Sequence, residues 1–231
     1  MTGQPRYAFV AALLERDFPP PACIIEFGSA PGDQIAALAR RGYEATSVDL
    51  GAAEDEWGSG ESGYFRRILT EAGVQHLQWD IDRVPFPLED AAFDAALLTE
   101  VLEHLREYPA RSLSEIHRVL RSRGRLYLTT PNAAYLMNRM RLLVGRSVQT
   151  PLDDWIGGLP HARHAREYTF AEAKRLLEHV GFRIVTAESR HFHLEMGSSL
   201  PGAKVAKQVL DRLARVRPTL GPSIVIVAEK G

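Results

Sequence analysis

An alternation constrains this chain more than any other feature. Across roughly the first 130 residues, short apolar runs rich in β-branched residues recur between stretches of helical period. The first run, Cys23-Ile24-Ile25-Glu26-Phe27, passes directly into Gly28-Ser29-Ala30-Pro31-Gly32. It reads as a buried strand ending in a glycine-rich turn. A short helix over 7–16 precedes it and is stopped by Pro19, Pro20 and Pro21. Helical period follows from Asp33 to the stop at Gly42, then a strand over 43–50, a polar glycine-rich loop over 51–63 and a short helix over 64–72. Further strands are predicted over 74–80 and 93–100, a helix from about Val101 to Leu120, and a fifth strand over 124–130 ended by Pro131. Strands alternating with helices indicate βαβ units and a doubly wound, mostly parallel α/β sheet. In such sheets ligands lie beyond the carboxyl ends of the strands. The chemistry is therefore expected in the loops after residues 27, 49, 80, 100 and 130.

The last third is organised differently. Thr169-x-x-Glu172 is a capping box opening a helix that Gly181 closes, and strands are predicted over 182–190 and 223–231. Between them a helix over 203–216 places Val205, Val209, Leu213 and Val216 on one face and Lys204, Lys207, Arg212 and Arg215 on the rest. The expectation is one domain over 1–231, with 133–168 and 191–222 as insertions or lids on the substrate side. A length of 231 residues can bury a substantial core. A net charge of −1 and an aromatic content of 8% give no field or stacking platform for nucleic acid. One cysteine excludes an internal disulfide, and no apolar run approaches the ~20 residues of a membrane span. The first twenty residues read as lacking the charged and apolar regions of a signal peptide, so a cytoplasmic protein is expected. A peripheral membrane contact through 203–216 stays open.

The glycine turn suits a cofactor approached closely by backbone N–H groups. A dinucleotide would want G-x-G-x-x-G, but here the second glycine position is Ala30 and the third is Asp33. A carboxylate at a helix start repels pyrophosphate. The cofactor is thus expected to be cationic or zwitterionic, which disfavours a nicotinamide-dependent oxidoreductase, and Glu26 fits an ammonium group. Asp49, about 20 positions after Gly28, ends the second strand where a carboxylate can accept from both ribose hydroxyls. Asp80 with Ile81 ends the third and could hold an adenine. Each acid alone could equally be a cap or loop carboxylate; three of them in register with the turn make the stronger case.

These motifs, EFGSAPG, TSVDL, WDIDRVPFP, FDAALLTEVLEHL and RVLRSRGRLYLTTPN, resemble in order and spacing those of class I S-adenosylmethionine-dependent methyltransferases. The resemblance covers roughly 23–190 and the final strand. It implies a Rossmann-like seven-stranded sheet with an antiparallel C-terminal strand. It also implies S-adenosyl-L-methionine held by Glu26, Gly28, Ser29, Ala30, Gly32, Asp49, Leu50, Asp80, Ile81 and Thr99. Ala30 stands where the family usually has a middle glycine, and Arg121-Ser122-Arg123-Gly124 replaces the usual Pro-Gly-Gly before the fifth strand.

Glu100, Glu103 and His104 stand at i, i+3 and i+4, which on a helix is one face looking into the cleft. His161 and His164 lie just before the capped helix. They read either as cap and loop residues or as a divalent metal site of two carboxylates and imidazoles. Glu-x-x-Glu-His followed by His-x-x-Glu-aromatic-Thr resembles the metal-binding small-RNA 2′-O-methyltransferases, and the first half also resembles the ubiquinone-pathway O-methyltransferases. By that resemblance the ligands are Glu100, Glu103, His104 and His164. With or without a metal, His104 and His164 are the candidate catalytic residues, because an alcohol must lose its proton to accept a methyl group. The expected reaction is O-methylation of a small molecule, with N-methylation and a non-catalytic cofactor-binding protein as alternatives. Tyr135, Leu136, Met137 and Met140 read either as core or as an apolar wall for the acceptor.

Overall fold

The computed structural model describes residues 5–50, 63–149, 151–157, 164–192, 212, 214 and 216–231. Helix α1 (Pro5–Asp17) precedes strand β1 (Cys23–Phe27), followed by α2 (Asp33–Ala39), β2 (Glu44–Asp49), α3 (Tyr64–Glu71), β3 (Gln75–Gln78) and β4 (Phe93–Thr99). A 3-10 turn (Leu102–His104) separates β4 from α4 (Pro109–Val119). Then come β5 (Leu120–Pro131), α5 (Leu136–Leu143), α6 (Leu152–Gly157), α7 (Phe170–His179), β6 (Phe182–Arg190), a 3-10 turn (Pro218–Leu220) and β7 (Ser223–Lys230).

The seven strands form one sheet in the order β3-β2-β1-β4-β5-β7-β6. β7 runs antiparallel to both β5 and β6, and the other pairings are parallel. This is the sheet implied by the sequence motifs. The chain steps outward from β1 through β2 to β3, then restarts on the other side at β4. A crevice opens beyond the ends of β1 and β4, where the winding reverses.

Successive side chains point to opposite faces of a strand. Ile24, Ala95, Leu97 and Tyr127 pack with Val10, Leu14, Ile35 and Leu38 of α1 and α2. Ile25, Phe27, Ala96, Leu98, Leu126 and Leu128 pack on the other face with Leu113, Ile116 and Leu177 of α4 and α7. Covering both faces explains why the central strands β1 and β4 read as mostly apolar runs. The Thr169–Glu172 capping box is present and starts α7.

Three expectations are corrected. The helix read over 101–120 begins only at Pro109; before it lie the 3-10 turn and extended residues. Proline has no N–H to donate and forces the preceding residue out of the helical region, so it belongs in the first turn. Asp82 also accepts the Arg106 N–H, which a continuous helix would need. β3 ends at Gln78, so Asp80 sits in a turn beyond the strand, its carboxylate accepting from Asp82 N. β5 starts at Leu120 because Arg123 (φ 64°) takes the left-handed turn position, and Gly124 follows where a Cβ would lie 2.8 Å from the Arg121 carbonyl. Helices α5 and α6 were not anticipated. Met137 and Met140 are exposed, which removes the core reading for them. The loop expected over 51–63, apart from Gly63, lies outside the described residues. So do His161 and, apart from Arg212, Ala214 and Val216, the helix expected over 203–216.

Candidate active site

The crevice has two sides. On the first, the turn after β1 is drawn against β2: Gly28 N–H donates to Val48 O (2.8 Å) and Ala30 N–H to Asp49 Oδ2 (3.0 Å). Gly28 (φ 68°) cannot be replaced without strain, since a Cβ would lie 2.5 Å from Val101 Cγ2. Gly32 (φ 95°) forms the N-cap of α2. Ser29 is buried, and its hydroxyl bonds that of Ser47 (2.6 Å), which bonds His76 Nδ1 (3.0 Å). Asp49 is buried at the end of β2, and Leu50 beside it is 53% exposed. Ile81 is partly buried, and its carbonyl accepts from Ser112 Oγ (2.7 Å).

Glu26 is 2% exposed. Thr99 Oγ1 lies 3.3 Å from both Glu26 Oε1 and Gln34 Oε1. Glu26 Oε2 and Gln34 Nε2, both buried, have no hydrogen-bond partner among the described residues. Burial pushes the Glu26 carboxyl up to about 8, against the pull of Thr99 and Arg6. Buried polar atoms are almost always satisfied, so these two mark a place for a polar ligand. Arg6, Tyr7 and Gln34 complete this pocket without having been anticipated. Arg6 is buried, Tyr7 is raised above the usual phenol range by burial with Glu26 nearby, and Arg6 lies close enough to pull on both Tyr7 and Glu26. A buried arginine in the first turn of α1 is a signal that sequence could have offered only once the helix was docked.

The second side is built at the ends of β4 and β5. Glu100 (φ 56°) is in the left-handed region; its N–H bonds Thr129 O (2.8 Å), and its carboxylate accepts from Thr129 Oγ1 (2.8 Å) and faces Arg6 Nη1 (3.8 Å). Glu103, 1% exposed, accepts from Thr130 Oγ1 (2.9 Å). Desolvation, with Glu100 nearby, pushes Glu103 up to about 8. Its main-chain oxygen accepts from Ala165 N (2.7 Å) and Arg166 N (3.2 Å), and Ala133 N bonds Tyr168 O (3.0 Å). These main-chain bonds bring His164 to the 3-10 turn, where its ring meets that of His104 edge-on, centroids 5.0 Å apart. Ligand atoms of Glu103, His104 and His164 all lie within 4.8 Å of one another. His164 Nδ1 bonds Glu167 Oε1 (2.9 Å), which raises its pKa above the ordinary imidazole value, with Glu103 and Glu100 adding to the effect. Glu100 is not part of that three-residue group and does not share a helix face with Glu103 and His104, because its backbone turns it toward Thr129 and Arg6.

A family model described as a methyltransferase domain matches residues 5–187. The chain belongs to the class I S-adenosylmethionine-dependent methyltransferases. No curated protein matches it. Solved structures share the methyltransferase fold. One is the Burkholderia thailandensis 1,6-didemethyltoxoflavin-N1-methyltransferase with bound 1,6-didemethyltoxoflavin and S-adenosylhomocysteine (18% identity, 99% of this chain and 80% of that one, TM-score 0.62). Another is an S-adenosylmethionine-dependent methyltransferase from Mesorhizobium loti (16% identity, 99% of each chain, TM-score 0.66). The [4+2]-cyclase SpnF is a third (17% identity, 97% and 80%, TM-score 0.62). At these identities the likeness concerns the fold. The methyltransferase's own acids fit a zwitterionic cofactor: Asp33 and Asp49 at the turn would repel a pyrophosphate, whereas the unpartnered Glu26 Oε2 suits an ammonium group.

Proposed function

We propose that this methyltransferase moves the methyl group of S-adenosylmethionine to an oxygen atom of a small-molecule acceptor. What carries the reading is the convergence of Glu103, His104 and His164, with ligand atoms within 4.8 Å, beside the ends of β4 and β5. In this reading Asp49 takes the ribose hydroxyls, Asp80 with Ile81 takes the adenine, and Leu50 flanks the nucleoside. Gly28, Ser29, Ala30 and Gly32 form the turn against which the cofactor lies. Glu26, Gln34 and Thr99 face the amino-acid end, with Glu26 on the ammonium and Arg6 on the carboxylate.

When bound, the cofactor supplies an electrophilic methyl group on a sulfonium. The protein is left to align the acceptor and remove its proton. Glu103, His104 and His164 would hold a divalent cation, which would supply a Lewis acid that lowers the pKa of an acceptor hydroxyl. One carboxylate with two imidazoles suits Zn²⁺, Fe²⁺, Mn²⁺ or Co²⁺ better than Mg²⁺. Without a cation, an imidazole of His104 or His164 accepts the hydroxyl proton directly. Glu167 fixes the His164 ring through Nδ1 and leaves its other nitrogen for either task. The O–C bond forms as the S–C bond breaks, and the electron pair stays on sulfur.

The test is a panel of phenols, sugars, hydroxylated lipids and amines incubated with methyl-labelled S-adenosylmethionine, with EDTA and after readdition of single divalent ions. O-methyl products are expected. Loss with EDTA and recovery with one ion assigns the cation, while indifference to EDTA assigns the imidazole base. Exclusive N-methyl product defeats the reading. Binding of S-adenosylhomocysteine without turnover on any acceptor would place the chain with proteins that use this fold for other chemistry, as the cyclase's name shows can happen.

A further inference from the structure

Both carboxylate oxygens of Glu100 are already directed. Thr129 Oγ1 donates to Oε1 (2.8 Å), and Oε2 faces Arg6 Nη1 (3.8 Å). The backbone of Glu100 is left-handed (φ 56°), which is uncommon for a residue with a Cβ and persists only where the surroundings over-determine it. Here the N–H of Glu100 bonds Thr129 O (2.8 Å), and Thr129 is fully buried within β5. Glu103, His104 and His164 converge without Glu100. Its contacts lead instead through Arg6.

A buried site for a zwitterion carries a difficulty of its own. It needs an anion for the ammonium and a cation for the carboxylate, and away from water those two groups attract each other strongly. If they close into an ion pair, the site is filled by its own charges. Arg6 and Glu26 are two such groups. Both are buried, and Arg6 lies near enough to pull the Glu26 carboxyl down. Yet Glu26 Oε2 has no hydrogen-bond partner among the described residues, and burial holds the carboxyl at about 8. The other groups facing Glu26 supply no cation: Tyr7 of α1, Asp49 of β2, Thr99 of β4 and the Ile35 main chain of α2. Glu100 draws the guanidinium the other way. Helix α1 does not depend on that pair for its docking, since Val10, Ala11 and Leu14 lie in the core and Asp17 Oδ2 accepts from Tyr127 Oη (3.0 Å). Loss of the pair therefore frees the Arg6 side chain without freeing the helix, and Glu26 is the acid beside it.

We propose that Glu100 is a positioning residue that holds Arg6 off Glu26, so that the carboxylate and the ammonium of the cofactor each meet their own partner. Glu100 belongs to the acceptor side by its place in the chain and to the cofactor side by its contacts. This role rests on the reading of Arg6 and Glu26 as the partners of the cofactor's amino-acid end. Calorimetry of the full chain with S-adenosylhomocysteine at pH 7, in buffers of different ionisation enthalpy, reads affinity and proton release together. In the wild type the ligand ammonium ionises Glu26, and about one proton is expected to leave. In Glu100→Gln, Arg6 closes on Glu26 and ionises it beforehand, so release should fall below about half a proton and affinity should fall about tenfold. 5′-Methylthioadenosine, which lacks the amino-acid end, should bind wild type and variant alike. Adding Arg6→Met to Glu100→Gln should restore the release, because Glu26 is again without a cation beside it. A folded Glu100→Gln that releases as much as the wild type, or that loses methylthioadenosine as well, overturns the positioning role. Absence of release in the wild type overturns the reading of Glu26, and the role with it. Should the melting temperature show that Glu100→Gln does not fold, Thr129→Val removes the hydroxyl that holds Oε1. A smaller fall in release and affinity is then expected, and no fall overturns the role.

Discussion

The two sides of the crevice are held by different kinds of bond. On the cofactor side, three adjacent strands fix the chain by ladder hydrogen bonds, and the turn is tied down at Gly28, Ala30 and Ser29 from β2. On the acceptor side, the chain leaves β4 through a left-handed Glu100 and a single 3-10 turn. It meets a segment about 60 residues downstream through the bonds of Ala165 and Arg166 to Glu103 O. One side is part of the sheet; the other is assembled on it. Binding of the cofactor and chemistry on the acceptor should therefore be separable by mutation, because distant sites without shared partners behave additively.

The largest effect is expected on the assembled side. His164→Ala and His104→Ala should each lower turnover by about 10²- to 10⁴-fold, the usual contribution of a positioned acid–base group or ligand. S-adenosylhomocysteine affinity, measured by calorimetry, should hardly move. Loss of both together would break the separation and make the Glu103–His164 contact part of the cofactor site.

Asp49→Ala should do the converse. Charge-assisted hydrogen bonds contribute about 1.5–3 kcal/mol, so affinity should fall about ten- to a hundredfold while turnover at saturating cofactor stays nearly unchanged. A drop in saturated turnover as large as the drop in affinity would mean that Asp49 also positions the reacting end.

The same contrast explains what sequence could reveal. Cys23–Phe27 and Phe93–Thr99 are covered on both faces, so burial wrote them as apolar runs that composition cannot hide. Gly28 and Gly32 are legible because their backbone needs positive φ. Past Thr99 the local signals conflict. Glu100, Glu103 and His104 have helical spacing, but Pro109 and the Asp82 carboxylate break the helix that the spacing suggests. Glu103, His104 and His164 are nonetheless brought together, through main-chain bonds that leave no trace in side-chain pattern. Arg6 and Gln34 were illegible because their importance lies in what faces them after docking of α1 and α2. Helix α5 is not legible as a helix because Leu142 falls on the same side as the polar, buried Asn138, which blurs the single apolar face by which helices are read.

Glu26 gives a smaller effect that sharpens the cofactor side. Its carboxyl is raised to about 8 by burial, from about 4.3 in an unfolded chain. Without ligand the folded state holds that proton at pH 7, so Glu26 favours folding most below pH ~4, and this contribution is lost as pH rises to about 8. A ligand ammonium favours the ionised form, so binding releases a proton below pH 8 and affinity rises with pH up to that point. Calorimetry of S-adenosylhomocysteine at pH 7 in buffers of different ionisation enthalpy should register a release approaching one proton, abolished in Glu26→Gln. A release equal in wild type and variant would assign the proton elsewhere.

The smallest effect tests how tightly the sheet holds the turn. Ser47 is fully buried between Ser29 and His76 and has one proton to give. Burial lowers the His76 pKa against the pull of Asp49, which favours the neutral ring at pH 7. If its Nδ1 is unprotonated, Ser47 donates to His76 and must accept from Ser29, which fixes the direction of the Ser29 hydroxyl within the turn. Ser47→Ala leaves Ser29 without that partner in a buried site, a loss of about 1 kcal/mol or somewhat more. In a chain of this size that corresponds to about 2–4 °C in melting temperature. Backbone ties at Gly28 and Ala30 remain, so the turn keeps its place and S-adenosylhomocysteine affinity should fall only a few-fold, about fivefold at most. Turnover at saturating cofactor should not change, since the described hydrogen bonds of the Ser29, Ser47 and His76 side chains run to one another and not to Glu103 or His164. A loss of affinity matching that of Asp49→Ala would show that the hydroxyl pair, and not the strand ladder, sets the shape of the turn.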